Sequence, residues 1–239
     1  MRILVMNSKG GAGKTTLTTT LISYYLSRGM KTALIDMDPQ GASAFWAEKR
    51  QDSLEKPQVI EASKTKTGMT NVFQRKPEAG TQVVVTDTPA GVKILENMAE
   101  IRKNDVILIP VLPSSFDIKA ITLFIGSLLI NLRRQRVNCR IAVIANRCRL
   151  NTKAYGRLML FLNSLDIPFI GTVRDSQTYV HASENGIGIF DKPNLLRYRK
   201  ELEQWYPIIR WLREIERQKD RMPPPPSEYR GSKVIPEPG

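Results

Sequence analysis

Residues 8–16 read Ser-Lys-Gly-Gly-Ala-Gly-Lys-Thr-Thr and follow directly on the apolar run Ile3–Met6. A glycine-rich turn between a buried strand and a helix is a phosphate cradle, because its backbone N–H groups and the positive end of the helix dipole both face an anion. The ordinary pattern Gly-x-x-x-x-Gly-Lys-Thr has glycine where Ser8 stands here, and Lys9 adds a second lysine to Lys14. Gly10, Gly11 and Gly13 let the backbone approach phosphate where a Cβ would collide. The expected cradle is Lys9, Gly10, Gly11, Ala12, Gly13, Lys14, Thr15 and Thr16. Lys14 offers a point charge to the β and γ oxygens. The Thr15 hydroxyl suits Mg²⁺, which keeps several waters and takes few protein ligands.

Three further polar motifs follow apolar runs: Asp36-Met37-Asp38-Pro39-Gln40, Asp87-Thr88-Pro89-Ala90-Gly91, and Asn146-Arg147. In open α/β sheets ligands sit outside the carboxyl ends of the strands, so these motifs are expected to meet the glycine-rich loop. Phosphoryl transfer needs positioning and charge more than covalent chemistry. Asp87 therefore suits a contact to Mg²⁺ made through water or from behind its direct ligands. Asp38, with Asp36 as the alternative, is available to orient the attacking water or to reach the metal through one. The two aspartates share a face if the strand continues through them.

The elements that must hold these residues alternate. Strands are expected at 3–6, 32–35, 59–60, 82–86, 106–111, 141–145 and 169–170. Helices are expected at 14–28, 41–50, 118–132 and 152–165, with a long helix at 194–217 bent or broken at Pro207. The first helix should bury one apolar stripe built on Leu17, Leu21 and Tyr25, and end at Gly29. Residues 64–68 and 75–80 read as loops. Such alternation implies an α/β fold, a mostly parallel twisted sheet with helices on both faces, and the loop at 8–16 points to one of the P-loop type. Residues 1–221 are expected to form one domain, and the proline-rich segment 222–239 a disordered tail.

The composition sets limits. Two cysteines, Cys139 and Cys148, provide no disulfide framework and fit a reducing cytosol. No signal peptide is expected ahead of the first strand, since Met1-Arg2 leads straight into it. The apolar stretch Ile118–Leu132 reads as a buried helix, too short and too polar to span a bilayer. No metal or triad constellation can be assembled around His181, the single histidine. The net charge of +13 attracts polyanions. It is unevenly placed: from Ile118 to Leu165 there is no acidic residue, while that stretch carries nine lysines and arginines.

With these motifs in hand, the chain resembles the ParA/MinD family of ATPases. Residues 8–16 are similar to that family's deviant phosphate loop. Leu34–Gly41 and Val83–Gly91 resemble its two further nucleotide motifs, and Ala145-Asn146-Arg147 matches the segment that contacts adenine. The likeness covers about residues 1–190, and Asp38-Pro39-Gln40-Gly41 resembles the ParA branch more than the MinD branch. The resemblance implies an ATP hydrolase of the SIMIBI type with ATP and Mg²⁺ as cofactors. It implies that Asn146 and Arg147 belong to the nucleotide site, that Asp38 is needed for hydrolysis, and that Lys9 reaches the partner's ATP in a sandwich homodimer. An adaptor of the ParB kind, or one carried by a cargo such as a carboxysome or chemotaxis cluster, would stimulate turnover. The location implied is cytoplasmic and nucleoid-associated.

Related members are separable by residue. A MinD-type protein ends in a basic amphipathic membrane helix, which has no counterpart after Trp211 and Ile215, so no membrane partner is expected. Cluster-carrying iron proteins need cysteines in other segments than Cys139 and Cys148. VirC-type accessory ATPases of DNA transfer are not separated from the cargo-positioning proteins. No helix-turn-helix is expected ahead of the loop, so DNA binding is expected to be non-specific. The candidate contacts are Arg149, Lys153, Arg197, Arg199, Lys200, Arg213 and Arg217, with Arg157, Lys219 and Arg221 behind them. If a dimer neutralises about six phosphates, affinity falls roughly a thousandfold between 50 and 200 mM salt, so dimerisation alone can switch DNA binding.

Overall fold

The computed structural model describes residues 1–62, 76–191 and 196–221. The expected loop at 64–68, the start of the long helix at 194–195 and the tail 222–239 lie outside them. Seven strands form one sheet: β1 (Arg2–Val5), β2 (Thr32–Asp36), β3 (Gln58–Glu61), β4 (Val83–Asp87), β5 (Val106–Val111), β6 (Arg140–Cys148) and β7 (Phe169–Arg174). Their order is β3-β2-β4-β1-β5-β6-β7, and every pairing is parallel. The expected parallel α/β architecture is present, with all carboxyl ends on one edge.

Side-chain alternation along the strands splits the core in two. Ile3, Val5, Val106 and Leu108 face one layer, built with α1 (Lys14–Ser27), α2 (Ala42–Glu48), α6 (Gln177–Glu184) and α7 (Arg199–Arg221). Leu4, Met6, Ile107 and Ile109 face the other, built with α3 (Met98–Ile101), α4 (Ser115–Arg134) and α5 (Lys153–Asn163). Neither α3 nor α6 was expected from periodicity. Four and eight residues long, they show too few turns for a period to register.

Three expectations need correction. First, α1 buries more than one stripe: Thr18, Thr19, Thr20 and Ser23 are buried with its leucines. Sheet and neighbouring helices enclose it, and the hydroxyls of Thr20 and Ser23 turn back onto helix carbonyls, Thr20 Oγ1 to Thr16 O at 2.7 Å and Ser23 Oγ to Thr20 O at 2.9 Å. Second, α7 runs unbroken through Pro207. Pro207 is exposed, so the ring and the unmatched carbonyl before it face water rather than the core. Third, α4 has 20 residues and is long and apolar enough by length and composition to cross a membrane, the one such helix among the described residues. Its packed face is Ile121, Phe124, Ile125, Leu128 and Leu132 against the sheet, as in a core helix, but its opposite face is open.

Candidate functional site

The site forms where β1, β2, β4 and β6 end. Residues 7–13 join β1 to α1, and Gly11 (φ 72°) and Gly13 (φ 85°) take left-handed conformations that L side chains rarely adopt. Gly13 is needed twice over, because a Cβ there would lie 2.1 Å from Asn146 Nδ2. No side chain caps α1 and no acidic residue occupies its first turn. Its first N–H groups are therefore free for an anion.

Lys14 is buried at the loop, and its Nζ donates to Lys9 O at 3.3 Å. Burial lowers its pKa, against the opposing pull of Asp87 and Asp38. Both carboxylates are thus close enough to act on it. Thr15 Oγ1 donates to Asp87 Oδ2 at 2.8 Å. Register sets Asp87 beside Asp36 across β2 and β4, and beside Val5 across β1 and β4. Burial pushes the Asp87 carboxyl up to about 7; the Thr15 hydroxyl opposes this and Asp36 adds to it. Asp87 Oδ1 is buried without a hydrogen-bond partner among the described residues. An orphaned carboxylate oxygen beside a threonine hydroxyl with open lone pairs fits Mg²⁺, which would take Thr15 and Asp87 and complete its shell with phosphate and water.

The two aspartates of the second motif separate. β2 ends at Asp36, so they do not continue on one strand face. Asp36 is buried and accepts from Ser43 Oγ at 2.7 Å, Ala44 N at 2.9 Å and Asp38 N at 2.9 Å. It folds the loop onto the start of α2. Asp38 is half-buried, accepts from Gln40 N at 3.0 Å, and lines the cavity with Pro39 and Gln40. The far end of α2 is anchored separately: Arg50, just past it, makes a buried two-pronged ion pair with Asp191 at 2.9 and 3.1 Å.

Asn146, buried at 1% exposure, donates from Nδ2 to Ala12 O at 2.8 Å. This bond clamps the loop to the end of β6. Arg147 has φ 51° and reaches Asp175, Nε to Oδ1 at 3.7 Å. With Arg174, Gln177 and Tyr179 it lines the far end of a cavity of about 740 Å³ that begins at Gly10–Gly13 and Lys14–Thr16. That volume suits a nucleotide.

Two residues of the site were not expected from the sequence. Asn7 is buried; it donates to Pro110 O at 2.6 Å and accepts from Lys9 N at 2.9 Å, so it ties the loop to β5. Asp117, in the first turn of α4, pairs with Lys9, Nζ to Oδ1 at 2.5 Å. Asn7, a lone polar residue ahead of the glycine-rich pattern, belongs to no motif that would mark it. Asp117 does stand out as the last acidic residue before the acid-free stretch.

The proposed DNA contacts are all exposed but do not form one patch. Arg149 pairs with Asp175 at 3.2 Å, and Ser176 donates to Glu201 near the start of α7. Arg149, Lys153, Arg197, Arg199 and Lys200 therefore share the carboxyl edge of the sheet. At 1.5 Å per residue, Arg213 and Arg217 lie about 20 Å or more down α7, where its neighbours Glu216 and Lys219 reach Arg28 and Asp105.

The family model of the CobQ/CobB/MinD/ParA nucleotide binding domain matches residues 3–189. The chain is 28% identical over 189 residues to the maintenance of carboxysome distribution protein A of Halothiobacillus neapolitanus, covering 79% of this chain and 86% of that one. Among solved structures, apo McdA of Cyanothece superposes with a TM-score of 0.64 at 19% identity over 86% of this chain and 95% of that one. A putative plasmid partition protein of Borrelia burgdorferi bound to AMPPNP gives 0.60 at 18% identity, over 85% and 97%.

Proposed function

The chain belongs to the CobQ/CobB/MinD/ParA nucleotide-binding family, and we propose that it is a ParA-type ATPase that positions a protein cargo of the carboxysome kind. The observation that carries this is the meeting of four strand ends at one cavity of nucleotide size: Lys14, Thr15, Asp38 and Asn146 line it, and Asp87 stands behind Thr15. The likeness to the carboxysome distribution protein supports that cargo over other DNA or protein cargoes.

The chain's residues divide the work of ATP hydrolysis. The α1 N-terminus and Gly10–Gly13 hold the phosphates, and Lys14 neutralises the β and γ oxygens. Bound Mg²⁺, held through Thr15 and Asp87, would offset charge on the transferring phosphate. Asp38, half-exposed at the cavity, orients the attacking water. Asn146, Arg147 and the residues after β7 take the base. Lys9, on the open side of the loop, acts on a second subunit's ATP when two copies close face to face. The closed dimer then presents two sets of edge arginines and lysines to DNA of any sequence, and an adaptor on the cargo stimulates hydrolysis and release. The cycle takes place in the cytoplasm over the nucleoid.

The test is a mobility shift on two unrelated DNA sequences, with ATP, ADP or no nucleotide, alongside light scattering for dimer mass. ATP alone should give a dimer that shifts both sequences. DNA binding that ignores the nucleotide overturns the switch. A Lys9→Ala variant should retain ATP binding and lose hydrolysis; unchanged hydrolysis removes Lys9 from its role.

A further inference from the structure

We infer that the outward face of α4 is a docking site for an acidic amphipathic helix of a partner protein. The helix has two apolar faces. The inner one packs against the sheet. On the outer one Phe116, Leu123 and Ile130 are 86%, 71% and 58% exposed. They recur every seven residues, so they fall on one line about 21 Å long.

Gly126 borders that line, three residues after Leu123. A Cβ there would meet nothing within 4 Å, so the protein's own packing does not require glycine. In a helix interior glycine is less favourable than alanine by about 1 kcal/mol. Its place between Leu123 and Ile130 leaves a notch where a knob from another helix can enter.

The charges beside the line select the occupant. Lys119 and Arg133 stand three residues after Phe116 and Ile130, Arg134 follows, and no acidic residue occurs from 118 to 165. None of the three makes an ion pair among the described residues. A second copy is disfavoured, because antiparallel pairing sets Lys119 against Arg133 and Arg134, and parallel pairing sets Arg133 against Arg133. A bilayer surface needs a broad apolar face. The line of Phe116, Leu123 and Ile130 is narrow, with only Leu129, 40% exposed, about a quarter turn to one side of Ile130. A helix with heptad-spaced apolar residues flanked by glutamates or aspartates satisfies both stripe and charge. Seated there, it would lie one residue from Asp117 and so beside the Lys9–Asp117 pair. The inference goes beyond the ATPase reading and does not depend on it.

Two fluorescent helical peptides test it by anisotropy with the full chain and no nucleotide. Both carry leucine at every a and d position; one has glutamate and the other lysine at e and g. The glutamate peptide should bind saturably and about tenfold or more tighter than the lysine peptide. Leu123→Ser with Ile130→Ser, and separately Gly126→Leu, should each weaken it by about tenfold without lowering the melting temperature. Equal binding of both peptides, no binding, or indifference to these substitutions overturns the proposal. So does co-sedimentation of the chain with phosphatidylglycerol vesicles in place of peptide binding, or a nucleotide-free dimer that the double substitution dissolves.

Discussion

Lys9 Nζ and Asp117 Oδ1 lie 2.5 Å apart within one chain, with side-chain exposures of 43% and 7%. The lysine proposed to serve a second subunit's ATP is thus held at home by the first turn of α4. To cross an interface it must leave this pair. Asn7, bonded to Lys9 N and to Pro110 O, fixes the backbone from which it swings.

Asp117→Asn removes the charge that holds Lys9 and keeps the side-chain shape. With its lysine solvent-exposed, the pair contributes about 1 kcal/mol. ATP-dependent dimerisation, measured by sedimentation, should therefore tighten by a few-fold, with ATP binding to the monomer unchanged. If dimerisation is unaltered or weaker, the pair does not restrain Lys9.

The neighbouring aspartates Asp36 and Asp38 should fail in opposite ways. Asp36 accepts three hydrogen bonds in a buried setting, so Asp36→Ala leaves donors unpaired and should lower stability by about 2–4 kcal/mol. Asp38→Asn should leave the melting temperature in place and reduce kcat by about a hundredfold or more, with ATP affinity retained. Thermal melts and turnover on the two variants separate these roles; a reversed pattern would mean that Asp36 faces the reaction and Asp38 holds the loop.

This split marks where residue type and spacing stop being informative. The glycine-rich loop, the strand-end carboxylates and the parallel sheet were legible because each depends on residue type and short spacing. What became of Asp36 was not, since its partners Ser43 and Ala44 lie past a loop whose turn decides which carboxylate is absorbed. Asn146 was legible as a strand-end residue, but its bond to Ala12 spans 134 positions. The open face of α4 was hidden for a different reason. Apolar residues on both sides of a helix read as burial, and only packing reveals which side has no cover.

Asp87 gives the nucleotide-free protein a pH dependence of known sign. Burial raises its carboxyl from an ordinary 3.8 to about 7. Between about pH 4 and 7 the folded state holds a proton that the unfolded state has lost, so this group's contribution to stability falls as pH rises through that window. Above 7 the carboxylate is ionised in both states, and the buried charge weighs fully. Asp87→Asn should then stabilise the protein in chelator by roughly 2–4 kcal/mol at pH 8 and by much less at pH 5, while abolishing Mg²⁺-dependent hydrolysis. Melting curves of wild type and variant that run parallel across pH 5–8 would remove this carboxyl as the titrating group.

The division of the basic residues can be read from salt dependence. Every DNA phosphate that a variant no longer neutralises should reduce the slope of log K against log salt by about 0.9. Charge reversal at Arg149, Lys153, Arg199 and Lys200, which share the carboxyl edge of the sheet with the nucleotide cavity, should weaken ATP-dependent DNA binding and flatten the slope. Arg199 already pairs with Glu203 at 3.3 Å and Arg149 with Asp175 at 3.2 Å, so these two should count for less than Lys153 and Lys200. Reversal at Arg213 and Arg217, near the opposite edge, should leave the slope as it was. DNA titrations at several salt concentrations on the two variant sets decide this, and a slope that changes only with Arg213 and Arg217 would move the DNA surface to the far end of α7.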